Sequence, residues 1–145
     1  MIRIASFLTC ALLLAAIRPA SGQRFVTVGM PDSEVLAALQ KLQKALAAGD
    51  RGTVAGMVNY PLRLNRGPDD HTTFATRSAL LSRYDEVFTP EIRRAVLADK
   101  MTDVLASTDG IPLGRGAVWL NSTCSTTHPR TCRLGIFSVN QKSKN

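Results

Sequence analysis

The residues best placed to do chemistry lie in Ser82–Val96, SRYDEVFTPEIRRAV, where Tyr84 and Asp85 stand side by side as a candidate acid and base. Elsewhere the reactive side chains are sparse. The two histidines, His71 and His128, are far apart in the chain, and His128 sits in the short loop STTHPRT between Cys124 and Cys132. A metal site built on Cys124, Cys132 and His128 would need more ligands nearby, so no metal is expected. No nucleophile elbow, phosphate-cradling glycine loop or cofactor motif occurs, and no cofactor is expected. After Asp109 there is no Asp or Glu at all.

Helical geometry weighs on the Tyr84–Asp85 pair. Leu80, Leu81, Tyr84, Val87 and Phe88 recur at helical spacing behind a capping candidate, Thr76. Tyr84 therefore falls on the buried stripe, and Asp85, about 100° further round, borders it. Arg83 and Glu86 can pair on the exposed side. Thr89-Pro90 stops this helix and starts another with Ile92 and Val96 inward and Arg93 and Arg94 outward.

The elements before it follow the same logic. Residues 1–22 combine Arg3, an apolar run Phe7–Ile17 and the small residues Ala20-Ser21-Gly22, the layout of a secretory signal peptide. The run has eleven residues, against about 20 for a membrane-spanning helix, so no stable anchor is expected after cleavage. Cys10 lies inside the run as a small apolar residue. Arg3 and Arg18 leave with the segment, so the formal charge falls from +7 to +5. The remaining positives are scattered, without the basic stripe and interleaved aromatics of a nucleic-acid binder, and no nucleic acid is expected. Only Cys124 and Cys132 then remain, eight positions apart in an exported chain, which predicts one disulfide closing a hairpin. The protein is expected in a bacterial periplasm or outside the cell.

The rest of the chain, about 120 residues, suits one domain. Residues 23–32 are taken as a lead-in, 33–140 as the domain and 141–145 as a disordered tail. Val35, Leu39, Leu42 and Leu46 form one apolar stripe on a helix opened by Pro31-Asp32-Ser33-Glu34, with Gln40, Lys41, Gln43 and Lys44 outward. Gly49 ends it, and Asp50 caps a short second helix, near Arg51–Val58. Tyr60–Leu64 is extended, and Pro61 places it at the start or edge of a sheet. A turn at Gly67–Asp70 leads to a short strand at His71–Phe74. From Val104 the chain is β in character. Gly114 and Gly116 are expected to form a bulge or leave room for a neighbour. Val118 and Leu120 oppose Ala117 and Trp119, and Leu134 and Ile136 oppose Phe137 and Val139, which predicts a sheet apolar on both faces.

With GDRGTVAGMVNYPLRL, RSALLSRYDEVFTPEI, GIPLGRGAVWL and GIFSVN in this order, Ser33–Asn140 resembles the nuclear-transport-factor-2-like (cystatin-like) superfamily, and within it small exported bacterial members of unassigned role. The resemblance implies an α+β fold, with N-terminal helices packed on a bent antiparallel sheet around a conical pocket. It also implies dimerisation through the sheet. An isomerase or cyclase of this fold would use Asp85 as base and Tyr60 or Tyr84 as oxyanion donor. A binding protein would line the cone with Tyr60, Tyr84, Phe88 and Trp119. The expectation is the non-catalytic one: a small apolar ligand or a protein partner held in the cell envelope, an immunity or inhibitor role included.

Overall fold

A computed structural model describes residues 22–127 and 129–142; residues 1–21, which carry Cys10 and nearly all of the expected signal peptide, His128 and residues 143–145 lie outside it. The chain is α+β. Five helices pack on one face of a five-stranded sheet ordered β2-β1-β5-β4-β3. Its strands are β1 (Val58–Asn65), β2 (His71–Phe74), β3 (Ile111–Leu113), β4 (Val118–Cys124) and β5 (Cys132–Asn140). The sheet is mixed rather than wholly antiparallel, because β1 and β5 run parallel. Helices fill the long connection between β2 and β3.

Helix α1 (Asp32–Ala48) buries Val35, Leu39, Leu42, Ala45 and Leu46. It ends at Gly49, whose φ of 67° is left-handed and whose N–H reaches back to the carbonyls of Ala45 and Leu46. Asp50 then caps α2 (Arg51–Gly56) by accepting from the Thr53 N–H. Asp32 does not cap its own helix. Its carboxylate accepts from the backbone N–H groups of Arg24 (2.8 Å) and Phe25 (3.1 Å). That tie brings the segment before α1 into the core, where Phe25, Val28 and Met30 are buried. Gln43, expected outward, turns its amide to the carbonyls of Val96 and Asp99, both at 2.9 Å, and so fastens α1 to the end of α5.

The helix expected from Thr76 to Phe88 is two pieces, α3 (Arg77–Ser82) and α4 (Tyr84–Val87), with a corner at Arg83. Thr89 and Pro90 open α5 (Pro90–Leu97) as expected, with Thr89 accepting from the Ile92 N–H.

Four β expectations need correction. Gly114 and Gly116 form no bulge: with Arg115 they make three successive left-handed residues that turn the chain from β3 into β4. Gly114 does leave the expected room for a neighbour, since a Cβ there would lie 3.0 Å from that of Ala95 on α5. Pro61 is not at an edge, since β1 lies between β2 and β5. The β1–β5 register is irregular between Val58 and Arg63, and the missing N–H of Pro61 falls within that gap. The sheet is also not apolar on both faces. Leu120 pairs with Ile136 but Trp119 with Ser138, leaving Phe137 as an extra residue. This bulge reverses the alternation, so Val139 points inward with Leu134 and Ile136 rather than against them. Val104–Ser107 forms no strand; Ser107 makes a single bridge to Gly110. Gln141, expected in a disordered tail, donates its N–H to the Asn65 carbonyl at 2.8 Å.

Candidate functional site

The acid and base suggested by the sequence do not converge. Asp85 is on the surface, its side chain 63% exposed, and Arg51 Nη2 donates to both carboxylate oxygens at 3.0 and 2.9 Å. Tyr84 is 2% exposed. Its ring lies 5.0 Å from that of Phe88 and is covered by the Arg51 guanidinium at 5.2 Å. The Tyr84 hydroxyl is buried without a hydrogen-bond partner among the described residues, and burial pushes its pKa up to about 12. Tyr60 is half-buried and donates its hydroxyl to the Ala55 carbonyl at 2.9 Å, its pKa raised by burial against the pull of Arg77 and Arg133.

The four aromatics expected around one pocket are divided by the sheet. Tyr84 and Phe88 belong to the core under the helices. Trp119 is on the opposite face, its indole N–H donating to the Gly116 carbonyl at 3.0 Å. Two open depressions mark the surface. One is at the disulfide hairpin, by Cys124, Ser125, Thr126 and Arg130, and the other lies between the end of α1 and α5, by Gly49, Pro90, Arg93 and Leu97. Cys124 and Cys132 face each other across β4–β5 and form the expected disulfide. No group of three or more His, Cys, Asp or Glu side chains able to hold a metal ion occurs among the described residues.

The surface that does assemble functional side chains is the face of the sheet turned away from the helices. Strand alternation and register place His71 and Thr73 of β2 beside Asn65 and Arg63 of β1. Ser138 and Asn140 of β5 follow, then Trp119, Asn121 and Thr123 of β4, with Pro112 of β3 beyond. Phe137 and Trp119 are half-buried on this face. None of the five strands contains Asp, Glu or Lys.

The polar groups of this face are held by one another. Asn65 Nδ2 donates to Ser138 Oγ (3.1 Å) and Asn140 Oδ1 (2.7 Å), and Asn140 Nδ2 to the Gly116 carbonyl (2.9 Å). Asn59 folds over β5 to donate to the Asn121 carbonyl at 3.0 Å. Gly135 makes room for it, since a Cβ there would be 2.3 Å from Asn59 Oδ1. Arg133 donates to Asn59 Oδ1 (2.9 Å) and the Val58 carbonyl (2.8 Å), and Arg63 Nε to Asn65 Oδ1 (2.7 Å). Neither arginine is ion-paired among the described residues. The layer is therefore ordered in advance, with its aromatic faces and guanidinium edges turned outward. Sequence reasoning missed it by taking the strands as apolar on both sides. The signal was there in Asn59, Asn65, Asn121 and Asn140, and in strands free of Lys, Asp and Glu.

No protein family, curated protein or solved structure matches the chain.

Proposed function

We propose that the chain is an exported, non-catalytic binding domain that docks a protein partner in the cell envelope on the outer face of its sheet, an immunity or inhibitor role being one form of this. The observation that carries the reading is the composition of that face. Protein interfaces are enriched in aromatics and Arg and depleted in charged Lys, Glu and Asp, and this face has Trp119, Phe137, Arg63 and Arg133 with no Lys, Glu or Asp in its strands. Packing of Tyr84 and Phe88 into the core, with Asp85 paired on the surface, favours this face over an internal cone as the place of binding. Export is supported by the apolar N-terminal run, by the disulfide, and by the lack of any helix among the described residues long and apolar enough to cross a membrane. Helices on a curled five-stranded sheet are compatible with the nuclear-transport-factor-2-like superfamily, and we place the chain there as part of the same proposal.

Site-specific photo-crosslinking in the native host tests it. A crosslinking residue at Thr123, exposed on the outer face, should give a discrete heterologous adduct, and one at Lys41, exposed on α1, should not. Equal labelling at both, or none at Thr123, overturns the reading.

A further inference from the structure

We propose that the partner presents this face with an acidic segment: carboxylates for Arg63 and Arg133, and beside the one that meets Arg63 an apolar side chain that covers Trp119 and Phe137. The inference rests on the docking face proposed above and adds its chemistry.

Charge carries it. Three arginines of the helical layer already face carboxylates: Arg51 faces Asp85, Arg83 faces Glu86 and Arg94 faces Glu91. Arg24 and Arg77 beside them donate to backbone carbonyls instead, and the two on the outer sheet face likewise meet no carboxylate among the described residues, but they share their face with two half-buried aromatics. Arg63 is exposed and uses Nε on Asn65, while Arg133 is exposed and uses its two Nη groups on carbonyl and amide oxygens. Amide oxygens orient a guanidinium without neutralising it, so both charges remain to be met from outside. Arg63 pairs in register with Ser138, five residues along β5 from Arg133. At strand rise the two side chains start about 15 Å apart. An extended peptide covers that span in five residues; Trp119 and Phe137 lie at its Arg63 end, where Trp119, Ser138 and Arg63 share one cross-strand row, and Gly135 and Asn121 lie at its middle.

A second copy of this chain fits the face poorly. A two-fold interface sets a patch against itself, which would bring the copy's Arg63 and Arg133 onto a face whose strands hold no Asp or Glu to meet them. A repeating polyanion fits poorly too. Duplex DNA carries a charge every ~1.7 Å, and two guanidiniums this far apart would neutralise little of it.

The test uses the mature protein and a synthetic peptide with Leu-Phe at its centre and Glu on both sides, together with its Gln and Lys counterparts. Fluorescence of Trp119, the sole tryptophan, and the side-chain amide NMR signals of Asn65, Asn121 and Asn140 report binding at the face. The Glu peptide should shift these signals saturably and bind at least tenfold more tightly than the Gln peptide. It should weaken at least tenfold in Arg63→Glu, which should gain affinity for the Lys peptide. Thr73→Glu, opposite Arg63 on β2, should weaken it in the same direction and serves where Arg63→Glu does not fold. No shift up to millimolar Glu peptide, with the Thr123 adduct still forming, overturns the acidic assignment and leaves the docking face standing. Loss of the adduct as well overturns both. A Thr123 adduct between two copies of this chain assigns the face to self-association. Tighter binding of an oligonucleotide or of anionic vesicles than of the Glu peptide assigns it to a polyanion. Either result overturns the inference.

Discussion

On the helical side of the domain, Arg51, Arg83 and Arg94 each meet a carboxylate, and Lys41 and Lys44 stand in solvent. On the outer sheet face, Arg63 and Arg133 meet amides and carbonyls, and two half-buried aromatic rings lie toward the Arg63 end. Exposed ion pairs contribute about 0–1 kcal/mol each and adapt readily; they make a surface that water alone can satisfy. A layer of amides already bonded to one another has little more to gain from water. Its order costs side-chain entropy before any partner arrives, which lowers the cost of docking later. The two surfaces therefore differ less in polarity than in what their polar groups still lack.

The largest test of this contrast compares two aromatics. Phe88 is fully buried among the helices, and Trp119 is half-buried on the outer face. Phe88→Ala should cost about 3–5 kcal/mol of stability in chemical denaturation. Trp119→Ala should cost well under half as much and should abolish the Thr123 adduct. Equal costs for the two would mean that the outer face is a second core awaiting no one, and the comparison would break.

A smaller effect sharpens the claim that the amide layer is built in advance. Gly135→Ala drives a Cβ into the Asn59 amide, which lies 2.3 Å from where that atom would stand. Asn59 must leave, and with it go its bond to Asn121 and that of Arg133 to Asn59. The expected loss is about 1–3 kcal/mol, and much of it should return in Gly135→Ala combined with Asn59→Ala. A double variant no more stable than Gly135→Ala alone would place the strain in the β5 backbone instead of in the amide layer.

The helical half was largely legible because its signals are local. The stripe from Val35 to Leu46, the left-handed Gly49, the Asp50 and Thr76 caps and the Thr89-Pro90 restart all act within a turn or two of themselves. The corner at Arg83 was not legible, since no Gly or Pro between Arg77 and Phe88 marks it. The sheet was legible in content but not in orientation. One extra residue, Phe137, reverses the alternation of β5, and only the pairing with Trp119 and Leu120 reveals which residue is extra. That reversal hid the candidate site, because it separates Val139 from the outer face and leaves Ser138 and Asn140 upon it. The disulfide was legible from chemistry, as two cysteines eight positions apart on either side of a polar hairpin loop. The scatter of Tyr60, Tyr84, Phe88 and Trp119 over two faces was not, because residue type says nothing about which side of a sheet an aromatic will fill.

The smallest effect concerns Tyr84, which the helical spacing places on the buried stripe and the family resemblance offers as one of two oxyanion donors. Its hydroxyl is buried without a partner among the described residues while its ring packs on Phe88. An unsatisfied buried polar group costs free energy that its removal recovers, so Tyr84→Phe should be neutral or stabilising by up to about 1 kcal/mol. Linkage supplies a second readout. Burial holds the folded-state pKa at about 12 against an ordinary value of 10.0. Between these values the unfolded chain loses the phenolic proton and the folded chain keeps it. The unfolded state then binds fewer protons, and stability must fall as pH rises. This contribution is complete below pH 10 and is lost by about pH 12, so the wild type should weaken over that window more steeply than Tyr84→Phe. A destabilised Tyr84→Phe with an unchanged alkaline slope would show that the hydroxyl has a partner after all. The helical side would then hold a polar site of its own, and the contrast between the two surfaces would narrow.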